Sequence, residues 1–148
     1  PRPQGGHRRR VVDRQWLLVN KLAYRWSLPE RGDVVVFHAP DQPGQDFIKR
    51  VLALPGETVL IRQGRVLIDG RMLDEPWDPR FDDENFGPLT VPSEAVFVLG
   101  DHRRVSNDSR RWDGTGAALP SSAIVGEAWL SIWPPSLWGA ANAAAAEP

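Results

Sequence analysis

Short apolar runs separated by polar turn residues dominate this chain, and they predict strands rather than helices. The runs are rich in β-branched and aromatic residues and are bounded by Gly, Pro, Asp or Asn, a composition typical of β-structure. We predict strands at 16–19, 34–38, 47–54, 58–62, 65–68, 95–99 and 124–133.

The connections between these runs are short, which favours antiparallel pairing because parallel strands need a long crossover, usually a helix. Gln63-Gly64 and Asp69-Gly70 are turn signals, and the second, which lies between short apolar runs, predicts a tight hairpin. Segment 74–90, rich in acidic residues and proline, predicts an irregular excursion. We therefore expect an all-β fold of antiparallel sheets with few or no helices.

The predicted strand at 47–54 contains a lysine among apolar residues. Side chains alternate between the faces of a strand, so Phe47, Lys49 and Val51 share one face. Burial disfavours an ammonium ion and can lower a lysine pKa from about 10.4 by several units, which would make a neutral amine available as a general base. The alternative is a structural lysine whose side chain extends from an edge strand into solvent.

A second polar feature, the loop 100–110, follows the predicted strand at 95–99. Ser106 can hydrogen-bond a neighbouring amine, and Asp101 and Asp108 can bind the forked guanidinium of Arg103 or Arg110. The alternative is a turn that side-chain to backbone hydrogen bonds hold together, without a functional role.

In the lysine strand and the loop 100–110, the chain resembles the type I signal peptidases. These are membrane-bound serine endopeptidases that remove signal peptides with a serine/lysine dyad. The lysine box at 48–57 and the last box at 100–110 resemble stretches of that family, and several boxes in the right order are far more specific than any one of them. The similarity covers residues 12–135 and extends to boxes at 17–21, 31–37 and 124–134.

The resemblance implies a role for several residues of this sequence. Lys49 would be the general base, Ser106 would orient its amine by a hydrogen bond, and Asp101, Asp108 and Arg110 would brace the loop. It also implies a coiled or barrel-like arrangement of the sheets, and neither a cofactor nor a metal. His102 stands where the family usually has asparagine, which alters a loop hydrogen bond without removing a reacting group.

The attacking serine of the resembled family has no counterpart here. In the family a Ser-Met-x-Pro-Thr box shortly precedes the strand that resembles 17–21, and here that place falls near Gly6, with no serine before Ser27. Lys49 alone cannot perform acyl transfer, because the base needs a hydroxyl to activate. We expect either a truncated or altered peptidase, whose residues 1–11 are an atypical basic arm, or a genuine inactive relative.

Length, charge and composition limit the number of domains and the kinds of partner that we expect. Its 148 residues suit one domain, and its formal net charge of −1 gives no overall attraction to nucleic acid, although the first residues are basic and the stretch 74–84 is acidic. There is no cysteine, and the three histidines do not cluster. We expect a catalytic domain at 12–135, with 69–93 as a reduced form of the family's variable insertion, and a disordered alanine-rich tail at 136–148.

The resemblance also implies a membrane-anchored parent protein with this domain on the extracytoplasmic side. No apolar run here is long enough to span a bilayer, so we expect the anchor to be absent from this chain. Trp16, Trp26, Trp133 and Trp138 are candidates for a membrane-surface patch, since tryptophan favours the interface; the alternative is that most of them pack in the core.

The expected function is cleavage of signal peptides from secreted precursors, with an extended peptide added at a strand edge. One alternative is a pseudo-peptidase that binds such peptides without cutting them. Nucleic-acid binding is suggested only by Arg8-Arg9-Arg10, and we discount it on a chain of near-neutral charge. We also discount a triad of Asp101, His102 and Ser106, because adjacent side chains point apart.

Overall fold

The structure, a computed structural model, describes residues 16–133 and 139–140. The predicted place of the nucleophile near Gly6 and the expected basic arm at 1–11 lie outside the described residues. The strands are β1 Trp16–Asn20, β2 Val34–His38, β3 Asp46–Ala53, β4 Thr58–Arg62, β5 Arg65–Ile68, β6 Arg71–Met72, β7 Phe86–Thr90, β8 Ala95–Leu99, β9 Leu119–Pro120, β10 Ile124–Trp133 and β11 Gly139–Ala140.

These strands form two antiparallel sheets, so the predicted all-β class is confirmed. The larger sheet has the order β1-β10-β2-β3-β8-β9, with β11 beside β10, and the smaller sheet has the order β6-β5-β4-β7. Within the described ranges the helices are three-residue 3-10 turns, at Ser109–Arg111, Asp113–Thr115 and Ser121–Ala123. The described sheets do not close into a barrel.

Some segments contain more regular structure than the sequence predicted. The excursion at 74–90 ends in β7, which pairs with β4, so its last residues are a strand rather than an irregular segment. In the expected disordered tail, Gly139–Ala140 pairs with β10, whereas the other residues of 136–148 lie outside the described part of the chain. Both strands are short or carry few β-branched residues, so the apolar pattern did not reveal them.

Strand β3 separates two of the apolar cores. Val51 packs with Val35 and Phe37 of β2 in one cluster, while Leu52 packs with residues of the smaller sheet in another. The alternation that the sequence predicted for 47–52 is therefore what divides the two cores. The first cluster covers the face of the larger sheet that carries Lys49.

Both predicted turns are tight two-residue hairpins. Gln63-Gly64 joins β4 to β5 and Asp69-Gly70 joins β5 to β6, and all four residues have positive φ, between 47° and 80°. Gly64 is also closely packed, since a Cβ there would lie 2.0 Å from the Asp82 carbonyl oxygen. The backbone amide of Gly64 donates to the Glu84 carbonyl at 2.8 Å, which joins this hairpin to the acidic segment.

We predict that Gly64→Ala destabilises the protein more than Gly70→Ala. A Cβ at Gly70 meets nothing within 4 Å, so that variant measures the cost of positive φ alone, about 1–2 kcal/mol. Gly64→Ala must also displace the Asp82 backbone, which adds roughly 1–3 kcal/mol. Urea unfolding measures the free energy of unfolding of both variants. Equal losses would show that the Asp82 backbone moves aside at no measurable cost, which would contradict the prediction.

Candidate active site

Lys49 lies on a central strand and is buried. Strand β3 pairs with β2 on one side and β8 on the other, and the Lys49 side chain is 2% exposed. Its Nζ lies 5.8 Å from the centroid of the Phe47 ring, a distance at which the aromatic face attracts a cation. The alternative of an edge-strand lysine that extends into solvent is therefore wrong.

The loop that follows β8 covers the same face of the sheet. The Trp112 ring packs edge-on against Phe37 at 5.5 Å between centroids, and Phe37 is paired with Phe47 across β2 and β3. Trp112 Nε1 donates to Asn107 Oδ1 at 3.1 Å, and Asn107 Nδ2 donates to Asp41 Oδ2 at 3.0 Å. These contacts bring the segment that contains Ser106 over the face on which Lys49 lies.

Ser106 is buried but does not make the predicted hydrogen bond to Lys49. Its side chain is 5% exposed, and its hydroxyl has no hydrogen-bond partner among the described residues. Contacts of its neighbours, rather than its own, fix the loop. A triad of Asp101, His102 and Ser106 is not formed either, since Ser106 Oγ does not bond the His102 ring. The orienting role of Ser106 stays a prediction.

A buried ion pair between Asp108 and Arg110 closes the loop. Arg110 Nε donates to Asp108 Oδ1 at 2.9 Å and Nη2 donates to Oδ2 at 3.0 Å. The Asp108 carboxylate also accepts from the Gly100 amide at 3.1 Å, and Arg110 Nη2 donates to the Arg103 carbonyl at 2.7 Å. Burial alone would lower the pKa of Arg110, but its carboxylate partners raise it above the ordinary value. Ser106 lies between the two ends that Arg110 holds.

Asp101 contacts β3 from the face opposite to Lys49. Arg50 Nε donates to Asp101 Oδ1 at 3.0 Å and Nη2 donates to Oδ2 at 2.8 Å. Arg50 is 1% exposed, and it also donates to the Gly32 carbonyl and lies over the Trp77 ring. Lys49 and Arg50, which are consecutive on β3, thus point to opposite faces of the sheet. The bracing roles of Asp101, Asp108 and Arg110 remain predictions.

Sequence reasoning missed three carboxylates that belong to this site. Arg103 Nη2 donates to both carboxylate oxygens of Glu75 at 2.9 and 3.0 Å, and Arg110 Nη1 donates to Asp82 Oδ2 at 2.7 Å. Glu84 pairs with Arg111 and lies 3.4 Å from Arg110. The available signal was charge complementarity, because the acidic stretch 74–84 meets an arginine-rich loop.

The surroundings shift the pKa values of two of these acids in opposite directions. Burial raises the pKa of Glu75 above its ordinary value, although Arg103 acts against it. Burial acts in the same direction on Asp82, but hydrogen bonds from Arg110 and the Glu84 amide lower the pKa of Asp82 overall. Asp82 is therefore held as the charged partner of Arg110 at neutral pH.

Another ion pair links the two boxes that flank the lysine strand. Arg31 binds both oxygens of Glu57, at 2.8 and 2.6 Å, and donates to the Leu52 carbonyl at 2.9 Å. The Leu54 amide donates to Glu57 Oε2, so the carboxylate also closes the turn after β3. The hydrogen bond from Arg31 lowers the pKa of Glu57.

The described residues contain no group of three or more acidic or histidine side chains placed to hold a metal ion. Within the same part of the chain, no helix is long and apolar enough to cross a membrane. Among the tryptophans proposed for a surface patch, Trp26 is 84% exposed, and the side chains of the other three lie outside the described set.

The sequence is similar to those of known peptidases. A family described as signal peptidase, peptidase S26, matches residues 2–133. Signal peptidase I from Leptolyngbya laminosa is 41% identical over 125 residues, which cover 80% of this chain and 60% of that protein. The probable signal peptidase I-1 from Synechocystis is 41% identical over 130 residues, which cover 83% of this chain and 64% of that protein.

A solved structure supports the same similarity. The crystal structure of a signal peptidase I from Enterococcus faecalis V583 matches with a TM-score of 0.57 and 30% sequence identity. The match covers 68% of this chain and 97% of that one. The chain spans less than two thirds of the length of the two curated relatives named above.

We predict that Asp108→Ala destabilises the protein by about 3–5 kcal/mol, because it removes the carboxylate that binds the buried Arg110 guanidinium through two hydrogen bonds. The matched control is Asp46→Ala, which breaks the exposed pair with His38 and should cost about 1 kcal/mol or less. Thermal and urea unfolding measure both variants. An unchanged midpoint for Asp108→Ala would refute the bracing role.

We predict that the stability contributed by Glu57 depends on pH. Because the folded state lowers its pKa, the ionised carboxylate stabilises the protein above the ordinary value of 4.5, and this contribution is lost as the pH falls through the lower folded value. The free-energy gap between the unmodified chain and Glu57→Gln should therefore narrow on acidification. Urea unfolding at a series of pH values tests this, with the exposed Glu94→Gln as control; a gap that stays constant contradicts it.

Proposed function

The chain belongs to the signal peptidase family, peptidase S26, and from this premise we propose that it is a signal peptidase I-like serine endopeptidase domain. Its substrates would be the signal peptides of secreted precursors. The parent protein would be anchored in the membrane, with this domain at the membrane surface on the extracytoplasmic side. No cofactor enters the proposed reaction.

The observation that carries the proposal is the burial of Lys49 on a central strand, where it is 2% exposed and lies between Phe47 and Val51 of an apolar cluster. Fully buried lysines are rare, and burial favours the neutral amine that a general base requires. A purely structural strand position would be served better by an apolar residue. The chemistry of the site therefore supports proton abstraction by Lys49 from a serine hydroxyl.

In the proposed reaction, an extended peptide pairs with a strand edge beside the lysine face. Lys49 would take the proton of the attacking serine as the serine oxygen bonds the scissile carbonyl carbon, and hydrogen-bond donors would stabilise the negative carbonyl oxygen of the tetrahedral intermediate. The C–N bond would then break, with the proton passing from Lys49 to the leaving amine, and water activated by Lys49 would hydrolyse the acyl ester. Ser106 would orient the Lys49 amine. The Arg110 ion pairs, through Asp108, would keep the loop that contains Ser106 over the lysine.

We propose that these 148 residues do not by themselves cleave signal peptides, because the place of the attacking serine in the sequence given holds none. The family's serine box would fall near Gly6, and the sequence has no serine before Ser27. A second candidate function follows from the same observation: a pseudo-peptidase that binds extended peptides without cutting them. Mass spectrometry of a signal-peptide substrate separates the two, because only an enzyme yields two fragments.

We predict that cleavage returns when a Ser-Met-x-Pro-Thr segment replaces the region around Gly6. Gly6→Ser alone should be insufficient, because a hydroxyl misplaced by about an ångström loses roughly a hundredfold in rate. Adding Lys49→Ala to the graft should abolish cleavage. The matched control is Lys21→Ala, which removes the other lysine of the sequence, an exposed one.

Fragments of a synthetic signal peptide, counted by mass spectrometry, are the measurement. Cleavage by the unmodified chain that survives Lys49→Ala would overturn both the missing-nucleophile proposal and the dyad. Binding of the peptide by the unmodified chain, together with a graft that stays inactive, would instead support the pseudo-peptidase.

A further inference from the structure

Arg110 joins the two ends of the segment that contains Ser106. Its guanidinium donates to the Arg103 carbonyl before Ser106 and to the Asp108 carboxylate after it. The position of this one guanidinium therefore sets the path of the backbone between residues 103 and 108. Any group that holds Arg110 from outside the loop acts indirectly on Ser106.

Asp82 is such a group, and it comes from the acidic excursion rather than from the loop. Its Oδ2 accepts from Arg110 Nη1 at 2.7 Å, the shortest of the Arg110 ion-pair contacts. The two side chains are 2% and 4% exposed, so the pair is shielded from water and little screened by salt. Glu84 adds a weaker contact to the same nitrogen at 3.4 Å, with its side chain 33% exposed.

The backbone of the excursion is attached to the loop as well. The Arg80 amide donates to the Asp101 carbonyl at 2.8 Å, and the Arg103 amide donates to the Arg80 carbonyl at 3.0 Å. Asp82 therefore cannot move independently of the loop, and its carboxylate holds Arg110 at a fixed place. The Asp82 carbonyl in turn packs against Gly64 of the β4–β5 hairpin.

This arrangement leaves a buried hydroxyl ready for a partner. Ser106 Oγ has no hydrogen bond to a described residue, and an unsatisfied buried hydroxyl is costly. A hydrogen bond to the Lys49 amine would remove that cost, and it requires a loop whose position is fixed. The contacts of Arg110 with Asp82, Asp108 and the Arg103 carbonyl hold the loop in its position.

We infer that Asp82 is a positioning residue, which acts through Arg110 to keep Ser106 directed at the Lys49 face. The inference rests on the proposed function only for the roles of Lys49 and Ser106. It needs no cleavage to be tested, because the sequence contains only two lysines, Lys21 and Lys49. Carbon-13 labelling of the lysine ε-carbons gives two NMR signals, with the exposed Lys21 as an internal reference.

The experiment is a double-mutant cycle in the full chain, read as the titration midpoint of the Lys49 signal. Ser106→Ala should shift the midpoint by about half a pH unit or more, because it removes the hydroxyl to which the proposed function assigns the orientation of the Lys49 amine. Asp82→Asn should shift it by a comparable amount, and should cause no further shift in the Ser106→Ala background. Asp82→Glu should keep the midpoint of the unmodified chain.

The matched control is Asp83→Asn, which removes the same charge from the neighbouring residue. The Asp83 side chain is exposed and has no ion pair with a described residue. It should leave the midpoint unchanged. If Asp82→Asn prevents folding, as judged by thermal unfolding, Glu84→Gln replaces it, with a smaller shift that also vanishes in the Ser106→Ala background.

Three results would overturn the inference: no shift with Asp82→Asn, an equal shift with Asp83→Asn, or a shift that persists without the Ser106 hydroxyl. The last two would indicate a general effect of charge. Failure of Ser106→Ala to move the Lys49 signal would instead remove the Ser106 role from the proposed function, and the inference with it. A null result for Asp82→Asn alone leaves the proposed function intact.

Discussion

A guanidinium stays charged in a folded protein, so a buried arginine must be surrounded by carboxylates and carbonyls. Arg50, Arg103 and Arg110 are all buried here, and each has a carboxylate partner on a different segment, respectively Asp101, Glu75 and Asp82. This requirement brings the lysine strand, the acidic excursion and the loop after β8 together. The arrangement of the candidate site follows from satisfying these three charges.

Lys49 and Arg50, the two consecutive basic residues of β3, show how one contact fixes another. Arg50 binds Asp101 and the Gly32 carbonyl on one face of the strand, so the strand cannot rotate without breaking a buried pair. Lys49 must then enter the apolar cluster on the opposite face, beside the Phe47 ring. The Lys49 amine is therefore oriented by an interaction in which it takes no part.

The sequence predicted what depends on local alternation, and missed what depends on distant pairing. The burial of Lys49 and the division of faces along 47–52 could be inferred because a strand has a period of two residues. The Asp82–Arg110 pair joins residues 28 positions apart, and no local pattern selects one acid of the stretch 74–84 as the partner. The missing hydrogen bond of Ser106 was unpredictable for the same reason, since it depends on where the whole loop is held.

The acidic excursion is attached to the loop at separate points, and this limits how it can vary between related proteins. Glu75 and Asp82 are fixed by ion pairs, and Arg80 is fixed by its backbone. Doubling the length of a flexible connection costs only about 0.6 kcal/mol, much less than losing a buried ion pair. Insertions between these attachment points are therefore tolerable, whereas a deletion that draws Asp82 away from Arg110 is not.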